Sequence, residues 1–198
     1  FLDNYRIYGT FLIDELNTKQ MFNDWFGNRW LCQIGLDFSK IIFSLPVTFK
    51  GEFTAARPWV YTHRVPAFGT YTHNGRSLGF KYGPNSQVLY LESHLFIDHR
   101  NSINISFEKL KYGIAPADDI DSGFDFGNDP NQNYLNANTN KYEHSTTWLI
   151  GDIQESYKIE FKYTYELSNS TQIQANLVST KTESNIENSA SFQFRINF

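Results

Sequence analysis

Hydrophobic and polar positions alternate along most of the chain with a period of two, and helical periodicity is nearly absent. Tyr5, Ile7, Gly9, Phe11 and Ile13 alternate with Arg6, Tyr8, Thr10 and Leu12. Trp30, Cys32, Ile34, Leu36 and Phe38 repeat the pattern, as do Val47, Phe49, Gly51, Phe53 and Ala55 against Thr48, Lys50, Glu52 and Thr54. The clearest run is Tyr157, Ile159, Phe161, Tyr163, Tyr165 and Leu167, interleaved with Lys158, Glu160, Lys162, Thr164 and Glu166. Successive side chains of a strand point to opposite faces, so this alternation predicts strands with one apolar and one polar face. With the segments 87–97, 102–112, 172–177 and 190–198, the pattern predicts eight strands, most of them about ten to twelve residues long. Strands in soluble sheets are commonly about five or six residues long.

The linkers between these strands alternate in length. Long ones cover 14–28, 58–86 and 113–155, and short ones lie near 41–45, 98–101 and 168–170, with a medium one at 183–188. Such alternation places long and short connections at opposite ends of an up-and-down antiparallel meander, as in transmembrane β-barrels with short periplasmic turns and longer outer loops. If the last strand ends on the periplasmic side, every long linker falls outside. A polar face bearing Lys50, Glu52, Glu108, Lys158, Glu160, Lys162, Glu166, Gln193 and Arg195 suits a wet lumen. In lipid each Lys or Arg there would cost roughly 2–4 kcal/mol near the midplane. A soluble β-sandwich or lipocalin-like barrel shares the periodicity, with the apolar face as its core. Strand length, linker alternation and the terminal aromatic Phe198 favour the membrane barrel. Tyr5, Trp25, Trp30, Phe107, Tyr112, Trp148, Tyr157 and Phe198 fall near predicted strand ends, where interface girdles of aromatics are expected.

Composition narrows the function classes. The 198 residues suit one domain spanning 1–198, and 40% hydrophobic with 17% aromatic content is too apolar for a disordered chain. Seventeen Lys and Arg against 21 Asp and Glu give a net charge of −4, which excludes a basic nucleic-acid module. A single cysteine, Cys32, excludes an internal disulfide and a Cys-based zinc site. No run of apolar residues is long enough for a transmembrane helix. The chain opens at Phe1 directly into a strand pattern, without signal-peptide features, and reads as a mature chain or a fragment.

Candidate chemistry concentrates in the 57–86 linker. It holds Arg57, Trp59, Tyr61, His63, Tyr71, His73, Asn74 and Arg76, together with Arg64 and Lys81. Aromatic faces stack on sugar rings, while amide and guanidinium donors bind hydroxyls and carboxylates, so the set suits an acidic glycan. The same residues also suit a long loop tied down inside a barrel mouth. His63 and His73 lack a third ligand at metal-binding spacing, so no metal is expected. Asp118, Asp119, Asp121, Asp125 and Asp129 offer oxygen ligands but not the order of a calcium loop, and a solvated surface loop is expected. Ser93 and His94 are adjacent and point to opposite faces, and no other nucleophile stands with a base. A non-catalytic protein without a cofactor is expected.

Two stretches carry a family resemblance. One is Tyr8-Gly9-Thr10-Phe11-Leu12-Ile13-Asp14-Glu15-Leu16, followed by Trp25-Phe26-Gly27-Asn28-Arg29-Trp30 and Gln33-Ile34-Gly35-Leu36. The other is Gly51-Glu52-Phe53, then Ala56-Arg57-Pro58-Trp59-Val60-Tyr61-Thr62-His63, Tyr71-Thr72-His73-Asn74-Gly75, Ser77-Leu78-Gly79 and Gly83-Pro84-Asn85-Ser86. Together they resemble the C-terminal half of the capsule assembly protein Wzi family, over residues 5–112 by motif and beyond them by strand pattern. The chain departs from that pattern at Phe80-Lys81, where a His-Pro-like pair is expected. The resemblance implies the C-terminal part of an outer-membrane barrel of roughly 16–18 strands. It also implies a Gram-negative outer-membrane location and a role in holding or organising capsular polysaccharide at the cell surface, with outer-membrane lipid and lipopolysaccharide as neighbours. A general diffusion channel and a barrel subunit of a larger envelope complex remain as alternatives.

Overall fold

The computed structural model describes residues 4–21, 23–62, 71–74, 76–116, 126–131, 148–168 and 171–196. Its strands are β1 (Asn4–Glu15), β2 (Arg29–Ile42), β3 (Leu45–Ala56), β4 (Thr72–His73), β5 (Arg76–Ser77), β6 (Ser86–Phe96), β7 (Asn101–Ile114), β8 (Asp152–Ser168), β9 (Thr171–Thr182) and β10 (Ile186–Ile196). Eight of them form one sheet in the order β1-β2-β3-β6-β7-β8-β9-β10, and every pair is antiparallel. Neighbours in the sheet are thus neighbours in the chain, apart from the small β4–β5 hairpin inside the linker after β3. The alternation of long and short linkers therefore puts the three long ones at one end of the sheet.

Barrel closure is the expectation that needs correcting. β1 and β10 each pair on one side only, so the described sheet is open, and these eight strands do not form a barrel by themselves. Closure would require the free edge of β10 to hydrogen-bond to β1. The turn after β2 is also tighter than the predicted 41–45 linker. Ile42 pairs with Leu45, and Phe43 and Ser44 adopt φ of 49° and 67°. Positive φ at both central residues marks a two-residue turn whose twist matches that of the flanking strands.

The register makes each face continuous across the strands. Arg6, Asp37, Lys50 and Glu92 stand side by side in one row, and Glu52, Tyr90, Glu108 and Lys158 in the next. Opposite charges meet along this polar face: Arg6 Nε donates to Asp37 at 2.7 Å, Lys50 Nζ lies 3.2 Å from Glu52, and Lys158 Nζ 3.1 Å from Glu160. Of these only Arg6–Asp37 crosses between strands, a kind of pair that contributes roughly 0.2–1 kcal/mol, whereas the two lysine pairs join i and i+2 neighbours on one strand. On the other face stand Ile7, Phe11, Ile34, Ile159, Leu177, Phe192 and Phe194, all exposed, with Ile7 at 77% and Phe192 at 72%.

Burial is concentrated at the long-linker end. Leu31, Ala56, Val60 and Tyr61 pack together with Leu12 and Phe80, and Trp59, Phe126 and Ile150 pack with Phe26 and Ala115. Leu12, Leu31 and Ala56 share the polar-face parity, so the linker after β3 folds back onto that face.

Gly35 fixes one detail of this face. The Tyr8 ring lies across it, close enough that a Cβ would stand 2.2 Å from Tyr8 Cζ, and the Tyr8 hydroxyl reaches Glu52 on β3 at 2.7 Å. Gly35→Val is expected to cost about 1–3 kcal/mol by overpacking. In a Tyr8→Ala background the same substitution should cost much less, as a double-mutant cycle of denaturant unfolding will show.

Candidate functional site

The site begins where β3 stops pairing and turns inward. Pro58 has no N–H to continue a ladder, and beyond it Trp59 and Tyr61 adopt φ of 62° and 71°. Left-handed geometry at bulky residues costs roughly 1–3 kcal/mol each and persists only where the surroundings enforce it. Here they do. Trp59 N donates to Gly127 O at 2.9 Å, and Tyr61 N to Asp14 Oδ2 at 3.1 Å. Thr62 Oγ1 donates to Trp59 O at 2.6 Å, while Arg29 Nη1 donates to Thr62 O at 2.6 Å. Arg29 is itself paired with Glu15, and its Nε stands 3.8 Å from Asp14.

A second anchor is Asn85, fully buried at the other end of the same linker. Its Nδ2 donates to the carbonyls of Gly113, Phe126 and Ile150 at 3.2, 3.0 and 3.0 Å, and its Oδ1 accepts from Ile150 N at 3.0 Å. One side chain thereby joins the linker after β3 to both ends of the linker after β7. Asn28 does similar work in the first linker, accepting from Asn17 N at 3.0 Å and donating to Gln20 O at 2.5 Å.

The sequence-predicted glycan set divides on this frame. Arg57, Trp59 and Tyr61 are buried, at 6%, 0% and 4% exposure, and serve the knot. Burial also lowers the Arg57 guanidinium from its ordinary value and raises the Tyr61 phenol. His63 and Arg64 lie outside the described residues, as do Asp118, Asp119, Asp121 and Asp125. Tyr71, His73, Asn74 and Arg76 are exposed. The Tyr71 ring stacks on Tyr61 at 5.2 Å and 21°, so the buried tyrosine supports the exposed one. Tyr61 also accepts from Phe80 N at 3.2 Å, and Gly79 leaves room for its ring. His73 and Arg76 face each other in the β4–β5 hairpin, and Asn74, at φ 50°, begins its turn.

Beside the hairpin lies an open cavity of about 600 Å³, lined by Arg76, Ser77, Lys81, Tyr82, Asn128 and Asn131 among others. Thr72 Oγ1 and Asn131 Oδ1, 2.9 Å apart, tie its two walls together. Two cations, the Asp129 carboxylate, a phenol ring and several amides facing one hollow can stack on a sugar and bind its hydroxyls. Beneath the folded-in linker a second cavity of about 620 Å³ opens onto the polar face, where Lys50, Glu52, Tyr90, Glu92 and Glu108 line it. Among the described residues no group of three His, Cys, Asp or Glu is placed to hold a metal ion.

Between the two cavities Lys81, Tyr82 and Glu108 form a clamp. Lys81 Nζ lies 2.9 Å from Glu108 Oε2 and 4.4 Å from the Tyr82 ring centroid, and Tyr82 donates to Glu108. Burial raises the Tyr82 phenol, and the bond to Glu108 adds to the rise. For Lys81 burial acts downward, but its bonds to Tyr82 and Glu108 outweigh it and the ammonium is raised. By sequence alone Lys81 is one more cation of the linker and Glu108 one more charge of the polar face. Only the fold pairs them.

Comparison with protein-family models, with curated proteins and with solved structures finds no match for this chain.

Asn85→Ala should lower stability by about 1–3 kcal/mol per buried backbone group left unpaired, read from the unfolding midpoint. The Lys81–Tyr82–Glu108 clamp should contribute fully at neutral pH. Both raised groups start from ordinary values of 10.0 and 10.5, so the contribution is lost as pH climbs through their higher folded values. Unfolding followed against pH should show this alkaline loss in the wild type, and Glu108→Gln should flatten it.

Proposed function

We propose that this chain is a segment of an outer-membrane β-barrel that holds or organises surface polysaccharide without catalysis. The observation that carries the membrane reading is the distribution of burial. The apolar face of the large sheet is open, while the polar face is the one the linkers cover. Eight strands spaced about 4.8 Å apart, with an apolar band about 25 Å tall, present roughly 900 Å² of contiguous apolar surface. Soluble monomers rarely exceed about 300–600 Å². Lipid removes the cost of that face and leaves the charged face to line a wet interior.

The polysaccharide reading rests on the resemblance to the Wzi family and on the chemistry of the long-linker end. There Tyr71, His73, Asn74 and Arg76 are exposed beside the cavity of about 600 Å³. Arg57, Trp59 and Tyr61 enter as the scaffold beneath them. A channel is the second reading, favoured by the charge-lined cavity on the polar face. The linker knotted across that face favours a restricted lumen over a wide pore.

Cells lacking the gene should still make polymer but release it to the medium, scored as cell-bound against shed polysaccharide. Restoring the gene with Tyr71→Ala and Arg76→Ala together should leave retention impaired while the protein remains in the membrane fraction. Unchanged cell-bound polymer in the deletion strain would end the capsule reading. High conductance of the full-length protein in planar bilayers would then favour the channel.

A further inference from the structure

Several polar-face charges pair within the sheet, and one group of charges stands on the opposite, apolar face. Across β3 and β6 to β10, outward positions carry four charged side chains: Lys109, Lys111, Glu155 and Lys181. All four lie together. Lys109, Tyr157 and Lys181 occupy one row over three neighbouring strands, and Lys111 faces Glu155 in the next row. Lys109 Nζ stands 3.1 Å and Lys111 Nζ 2.7 Å from the same Glu155 carboxylate, and Lys109 lies 4.9 Å from the Tyr157 ring centroid. Lys181 is exposed and has no ion-pair partner among the described residues. Three lysines against one carboxylate leave a net charge of +2 on a chain whose total is −4.

The height of the group matters as much as its sign. On β8 the outward residues run from Tyr157 to Leu167 without a charge. Ten steps of about 3.4 Å, tilted about 40°, span roughly 26 Å, close to the apolar band of such barrels. The lysine row therefore caps the band at the long-linker end, where lipid headgroups lie. Lys109 and Lys181 flank Tyr157 about 10 Å apart, two strand spacings, within the combined reach of two lysine side chains. A cation placed in the apolar band would be costly, whereas one beside an anionic headgroup is stabilised.

We infer that Lys109, Lys111 and Lys181 form a binding site for the phosphorylated headgroup of a glycolipid in the leaflet facing the long linkers. Glu155 holds two of the lysines in place, and Tyr157 marks the boundary between acyl chain and headgroup. The site rests on the membrane reading above and adds a specific lipid contact to it.

The test uses the full-length protein in nanodiscs doped with lipid A, with the same lipid stripped of its phosphates, or supplied with inorganic phosphate. Bound lipid is counted by native mass spectrometry. The wild type should prefer the phosphorylated lipid, and Lys109→Gln, Lys111→Gln and Lys181→Gln together should weaken that binding by about tenfold or more. Lys158→Gln with Lys162→Gln, on the inward face, should leave it unchanged. Equal binding by the triple variant, or indifference to the lipid phosphates, would overturn the site while leaving the membrane reading intact. Inorganic phosphate binding as tightly as lipid would overturn the lipid assignment. A wild-type protein that refuses the bilayer would overturn both readings at once. Circular dichroism of the triple variant separates lost binding from lost fold, and the phosphate-stripped lipid tests the site in the wild type alone.

Discussion

A strand shows its side chains alternately to two faces, and a single sheet of eight strands has nothing of its own to cover both. The organisation of this protein follows from which face is covered. Along most of its length the register aligns apolar with apolar and polar with polar from β1 to β10. The two faces exchange character only at the long-linker end, where Leu12, Leu31 and Ala56 stand on the polar face and Lys109, Lys111, Glu155 and Lys181 on the apolar one. A soluble fold would spend its linkers on the apolar face. This chain folds its longest described contacts onto the polar one, through Val60, Tyr61, Phe80, Lys81 and Tyr82. A slip of one residue would exchange the faces, which is why the register is so tightly specified.

Covering the polar face demands that a linker run inward and still satisfy its backbone. Trp59 and Tyr61 take the left-handed turns, Arg29 and Asp14 supply the hydrogen-bonding partners, and Asn85 joins the second and third long linkers. The stacked Tyr61–Tyr71 pair then connects the buried knot to the exposed hairpin. Rigid support below and polar side chains above is the arrangement a loop-borne binding site needs, because ordering the loop beforehand lowers the entropy lost on binding.

The sheet was legible because a period of two survives any tertiary context that keeps one face apolar. Runs such as Tyr157 to Leu167 therefore located β8, and the linker lengths located the order of strands. Less was legible where local chemistry decides. The two-residue strands of the hairpin are too short to show a period, and Phe43-Ser44 lacks the usual Asn-Gly signature of its turn. Arg57, Trp59 and Tyr61 read equally as ligand contacts or as anchors of a tied-down loop, because an aromatic beside a cation looks alike whether it faces a sugar or a core. The small residues Ala55 and Ala56 just before them, both buried, are the signal of close packing that favours the core. The anchoring role of Asn85 is not legible even though the residue stands in the Gly83-Pro84-Asn85-Ser86 stretch, since four hydrogen bonds to distant residues have no sequence period.

The most direct measurement compares one arginine on each face of β9. Leu177 is exposed on the apolar face, paired with Phe161 near the middle of the apolar band, and Asn176 is its neighbour on the polar face. In a membrane barrel Leu177→Arg should cost about 2–4 kcal/mol of unfolding free energy near the midplane, and Asn176→Arg much less. In a water-soluble sheet the exposed leucine would accept arginine at little cost. A Leu177→Arg variant as stable as the wild type would contradict the account.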